Sequence, residues 1–122
     1  SVSQNLIYNC ASEGTIFSID KNCCRKDVCN FEAYNDIAIT ENGRCFAIMN
    51  SIFELDLNNC RIIQSFEPVD QFGINRVGNG LEALNDSTLI TDYNDSLYLI
   101  NLNTHQSTFV GHTSKFCAGD IV

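Results

Sequence analysis

A strand-and-turn phrase that occurs three times decides what this chain can fold into. It stands at Thr15-Ile16-Phe17-Ser18-Ile19-Asp20, at Ser51-Ile52-Phe53-Glu54-Leu55-Asp56 and at Ser96-Leu97-Tyr98-Leu99-Ile100-Asn101. Each copy runs into a short polar turn and then into a second extended run. Aligning Phe17, Phe53 and Tyr98 gives spacings of 36 and 45 residues, a period found in propellers and helical solenoids. From Phe53 to Leu57 apolar and polar residues alternate with period two, as in a strand, and no 3.6-residue period is visible. Residues 97–102 are apolar on both faces, which suits a strand sandwiched between neighbouring sheets. The expected class is all-β.

The remaining segments fit between these copies. Strands are expected at residues 6–10, 15–20 and 27–31, then at 35–40, 44–49, 52–57 and 61–66. Asn42-Gly43 marks a hairpin, since both residues tolerate positive φ. Residues 67–80 read as the longest loop because they hold Pro68, Gly73, Gly78 and Gly80. Strands resume at 80–84, 88–91, 97–102 and 106–111. Residues 116–122 repeat the pattern of 33–39.

Composition bounds the functional classes. The 122 residues carry seven Lys and Arg against fifteen Asp and Glu, a formal charge of −8. That balance argues against nucleic acid, whose phosphates need a basic patch, and against acidic membrane surfaces. No apolar run reaches the roughly 18 residues of a membrane span. The chain begins with Ser and shows no leader pattern, so it is expected to be processed. Seven cysteines, Cys10, Cys23, Cys24, Cys29, Cys45, Cys60 and Cys117, favour an oxidising compartment with up to three disulfides and one thiol left over.

These residues resemble the blades of a secreted bacterial β-propeller. The run Asn35-Asp36-Ile37-Ala38-Ile39, then Asn42-Gly43-Arg44-Cys45-Phe46-Ala47-Ile48, then Ile52-Phe53-Glu54-Leu55-Asp56-Leu57-Asn58-Asn59 is similar to repeats of the PQQ-like, NHL-like six-bladed propeller superfamily. Gly119-Asp120-Ile121 looks like the entry of a further blade. The resemblance implies blades of four antiparallel strands, about three of them here, half of a six-bladed ring. It divides one partial domain over residues 1–122 into repeats near 6–39, 40–84 and 85–122. In this phasing the first blade lacks its innermost strand, so the chain is either part of a larger protein or closes its ring with a second copy. The glycine usual at the hairpin turn is replaced by Cys24, Cys60 and His105. The neighbours Cys23 and Cys24 would reach different partners, with Cys10 or Cys29 as local choices.

Candidate chemistry is sparse. Cys23-Cys24 and Cys29 lack the paired spacing of zinc sites. Asp92, Asn94 and Asp95 are the weak calcium candidates, but the loop pattern with its terminal Glu is missing. His105 and His112 are the available imidazoles, and no nucleophile motif accompanies them. Asp36 and Asp120 recur at one repeat position, which points to a structural bond between blades rather than paired acid catalysis. No catalytic residue, metal or cofactor is assigned. Asn85-Asp86-Ser87 and Asn94-Asp95-Ser96 are N-glycosylation sequons, and Ser87 and Ser96 also sit in Asp-Ser pairs of the O-glycosylation type, so the chain is a candidate glycoprotein.

The expectation is a secreted or cell-surface, non-enzymatic module for structure, adhesion or assembly. Its partners would be proteins, or its own open propeller edges. The alternatives are a lectin-like or sensor propeller holding a glycan or small ligand, and part of an enzyme whose active residues lie elsewhere.

Overall fold

The computed structural model describes residues 1–3 and 6–113. Among these, twelve strands form three four-stranded antiparallel sheets, each built from consecutive strands. The first blade holds β1 (Val2–Ser3), β2 (Leu6–Cys10), β3 (Thr15–Ile19) and β4 (Arg25–Asn30). The second holds β5 (Asp36–Ile39), β6 (Cys45–Ile48), β7 (Ile52–Asp56) and β8 (Arg61–Phe66). The third holds β9 (Leu81–Asn85), β10 (Thr88–Tyr93), β11 (Ser96–Asn101) and β12 (Ser107–His112). The all-β expectation and its four-stranded blades agree with this architecture.

One correction concerns the first blade, which does have an innermost strand. Val2 pairs with Ile7 and Ser3 with Leu6. Two residues are too short a run to show period-two alternation in sequence. The further entry expected at residues 116–122, with Cys117 and Asp120, lies outside the described residues.

Burial records how the blades stack. Every residue of β5 and β6 is buried, because the second sheet is covered on both faces. One face packs Ala38, Phe46, Ile48 and Ile52 against Leu81, Leu89, Ile100 and Leu102 of the third blade. The other packs Ile37, Ile39, Cys45, Ala47 and Leu55 against Ile16 of the first, with Tyr34 between them. By contrast, β3 and β11 alternate between buried and half-buried residues, since one face of each outer blade meets the core. The two-sided packing expected for residues 97–102 is thus seen in β5 and β6, not in β11.

The hairpin turns show why the phrase repeats. At each turn an Asp or Asn side chain accepts backbone N–H groups ahead of it: Asp20 from Asn22 and Cys24, Asp56 from Asn58 and Asn59, Asn101 from Asn103 and Thr104. Such bonds fix the turn locally. The left-handed residue that follows is Cys23 (φ 62), Cys60 (φ 53) or His105 (φ 60). Cys23, rather than Cys24, is therefore the counterpart of Cys60, because the first turn is one residue shorter. At Asn42-Gly43 only Gly43 has positive φ, at 88°, and its N–H bonds the Thr40 carbonyl.

A disulfide joins Cys29 on β4 to Cys60 at the next blade's turn. It corrects the local pairing expected for Cys29. Cys24 immediately precedes β4 and Cys29 lies near its far end, five residues on and about 16 Å along an extended strand, well beyond disulfide reach. Blade stacking instead brings Cys60 to Cys29.

Candidate functional site

The connection at residues 67–80 builds the main cleft. Pro68 is fully buried, and Val69 docks beside the start of β12: its N–H bonds the His105 carbonyl and its carbonyl accepts the Ser107 N–H. From this anchor the chain makes a tight turn organised by Asp70. Asp70 Oδ1 accepts the N–H groups of Phe72 at 2.8 Å and Ile74 at 3.0 Å, while Oδ2 accepts Arg76 Nε at 2.9 Å. The Ile74 amide first, and then the Arg76 guanidinium, hold the Asp70 carboxyl below the usual range. The same bond raises the pKa of Arg76, whose guanidinium lies 5.3 Å from the Tyr93 ring centroid.

Between this turn and β12 lies an open cleft of about 540 Å³. Phe72 and Phe109 stand among its lining groups, 75% and 48% exposed. Phe109 is braced edge-on by Tyr98 at 5.8 Å and by His112 at 5.0 Å. Gln71, Gln106 and Thr108 contribute polar groups, and the Ser107 hydroxyl at the wall is buried without a hydrogen-bond partner among the described residues. The far end of the connection is tied down by Asp92, whose Oδ1 accepts the N–H of Asn79 at 3.1 Å and of Gly80 at 2.6 Å. A Cβ on Gly78 would lie 2.3 Å from the Asp92 carbonyl oxygen, so only glycine fits there.

The expected candidates fall elsewhere. Of the calcium set, Asp92 is buried and engaged as described, while Asn94 and Asp95 sit exposed on the β10–β11 turn. Among the described residues no group of three or more His, Cys, Asp or Glu side chains could hold a metal ion. Asp36 is buried, with Oδ1 accepting the Ile37 N–H and Oδ2 the Leu81 N–H, both at 2.8 Å. Its carboxylate joins two blades. His105 is half-buried and stacks on Phe66 with ring centroids 3.8 Å apart, so it serves as a packing group.

One constellation looks catalytic in outline. Ser96 Oγ lies 3.1 Å from His112 Nδ1 and 3.2 Å from Asp95 Oδ1. The carboxylate, however, approaches the same Nδ1, at 3.6 Å. A triad needs the acid on the ring nitrogen opposite the nucleophile, to set the tautomer and stabilise the imidazolium. Here the hydroxyl and the carboxylate share one nitrogen, and the arrangement is a turn clasp.

The sulfur groups divide by environment. Cys23 and Cys24 are exposed on the first turn, and Cys45 is buried in the core between the first two blades. Burial pushes the Cys45 thiol up to about 12. Cys10 Sγ faces the Tyr34 carbonyl at 3.5 Å. Of the sequon residues, Asn85, Ser87 and Asn94 are exposed and Ser96 is buried.

Neither a protein-family model nor a curated protein matches the chain by sequence. Solved structures do match by shape. U3-55K aligns over 95% of this chain and 39% of its own, at 12% identity and TM-score 0.55. Hydrazine synthase of Kuenenia stuttgartiensis aligns over 84% and 31%, at 11% identity and TM-score 0.54. The WD40 repeats of RRP9 align over 95% and 38%, at 13% identity and TM-score 0.50. The fold is propeller-like. At these identities the likeness speaks to fold alone, and the chain spans about a third of the length of these structures.

Phe72, Arg76, Gln106 and Phe109 were not among the sequence candidates. A solitary Phe beside Gly73 in a polar turn was the one visible signal. Nothing in the sequence brings residues 70–76 to face 106–109.

Proposed function

We propose that the chain is an extracellular, non-enzymatic propeller segment serving as a structural, adhesion or assembly module of a larger secreted or surface protein. The carrying observation is the apolar character of its two outer sheet faces. On the first blade, Ile7 stands opposite Ile19 and Asn9 opposite Phe17, on the face turned away from Ile16. Ile7 is 52% exposed and Val2, its partner in register, 68% exposed. On the third blade, Ile90 pairs with Leu99 on the face away from Leu89 and Ile100. Phe17, Ile19, Ile90 and Leu99 are half-buried, and apolar side chains left partly open on an outer sheet face support a reading of that face as an interaction surface. A further blade, or a protein partner, would cover each end as the outer sheets cover the second blade.

Membership of the PQQ-like, NHL-like superfamily belongs to the same proposal, supported by the Asp36-Ile37-Ala38-Ile39 entry. The Cys29–Cys60 bridge favours an oxidising compartment. The exposed sequon residues Asn85 and Asn94 fit a surface protein. The non-enzymatic reading draws on the Ser96–His112 geometry and on Asp36 and Asp92 being committed to backbone amides.

Charge placed on these faces tests the reading. In sedimentation equilibrium, Ile7→Asp and Leu99→Asp should each weaken self-association about tenfold or more while circular dichroism stays unchanged. Association unaltered by both substitutions would remove the outer faces from the function.

A further inference from the structure

We propose that the cleft between the Asp70–Arg76 turn and β12 is a binding site for a neutral carbohydrate. It stands on observations separate from the outer sheet faces. Phe72 is 75% exposed, yet it sits on a turn held by paired N–H bonds to one carboxylate, so its ring is presented rather than left loose. Phe109, also lining the cleft, is fixed edge-on by Tyr98 and His112. Two such rings offer apolar platforms to the C–H face of a pyranose, since an aromatic side chain presents a large, flat apolar area.

The polar groups suit the rim of a sugar. Gln71, Gln106 and Thr108 line the cleft and are exposed. Amides and hydroxyls both donate and accept, as sugar hydroxyls do. Arg76 contributes further N–H donors, and its place is set by Asp70 and Tyr93. Charge then selects among ligands. The guanidinium is neutralised by the carboxylate beside it at 2.9 Å, and the chain as a whole carries −8. Phosphates, sulfated glycans and acidic peptides would meet a repulsive field, whereas a neutral polyol meets none. A volume of about 540 Å³ lies in the range of small-ligand pockets, a size that suits a mono- or disaccharide.

The test pairs an array of neutral and anionic glycans with amide-shift titrations of the 122-residue chain, using maltose, cellobiose, lactose and N,N′-diacetylchitobiose to about 50 mM. Saturable binding of a neutral glycan is expected, with shifts centred on Phe72, Gln106 and Phe109. Phe72→Ala and Phe109→Ala should each weaken it about tenfold. Phe72 is exposed enough that its removal leaves the fold intact, so loss of binding there is not loss of structure. Binding to anionic glycans only, no response at all, or binding indifferent to both substitutions would overturn the proposal. None of these outcomes bears on self-association through the outer faces, which is read from mass.

Discussion

Asp36 Oδ2 accepts the backbone N–H of Leu81 at 2.8 Å, joining the innermost strands of the second and third blades. The same carboxylate also takes the Ile37 N–H, so one side chain satisfies donors on two blades within a buried setting. Removing it strands both amides away from water, and a buried unpaired donor costs about 1–3 kcal/mol. Asp36→Ala should therefore lower the unfolding free energy by about 2 kcal/mol, read as a reduced urea midpoint with unchanged slope. Asp36→Asn, which keeps an acceptor, should lose less.

The bridge between Cys29 and Cys60 closes a loop with a sequence separation of 31. Chain-entropy arguments put its contribution at roughly 3–4 kcal/mol. Cys29→Ser should reduce stability by that amount in oxidising buffer. With a reductant present, the variant and the parent chain should unfold at nearly the same denaturant concentration. An equal difference in both buffers would mean that Cys29 acts through packing alone.

Thiol reactivity should follow burial. Cys23 and Cys24 are exposed, while Cys45 is 1% exposed and its thiol is pushed up to about 12 by burial. Iodoacetamide at neutral pH should modify Cys23 and Cys24 in the native chain and reach Cys45 only after unfolding, since the thiolate is the reacting form. Peptide mapping by mass spectrometry reads this directly.

Acid should weaken the second blade through Glu54. Arg44 Nε bonds Glu54 Oε1 at 2.7 Å and Gln64 Nε2 bonds Oε2 at 2.8 Å, across neighbouring strands. The Arg44 bond is the main cause that holds the Glu54 carboxyl below its ordinary value. A group depressed on folding stabilises above its unfolded pKa, about 4.3 for Glu, and loses that contribution as pH falls through the folded value. Glu54→Gln should thus show a smaller loss of stability between about pH 7 and pH 3 than the parent chain. Equal losses would assign acid sensitivity to other carboxylates.

How much of this was legible beforehand follows from the range of each interaction. The phrase ending in Asp20, Asp56 and Asn101 announced the blades because its turn bonds span only two to four residues. Period two in residues 53–57 likewise reports a local geometry. β1 escaped notice because two residues carry no period. Cys29–Cys60 escaped because stacking of successive blades, not chain proximity, brings these cysteines together. The Asp36 bond to Leu81 could be anticipated in kind, since a recurring Asp at a blade entry suggests a link between blades, but not in its partner. The cleft was least legible: Phe72 and Phe109 belong to different elements, and only the docking of Val69 beside Gln106 makes them neighbours.

The central claim is that the three blades present apolar end faces that must be covered. Light scattering on the 122-residue chain, followed over rising concentration, tests it most directly. Self-association is predicted, with the mass climbing to a multiple of 13.6 kDa and reverting when charge is introduced at Ile7 or Leu99. A folded chain that stays at 13.6 kDa at every concentration would contradict it.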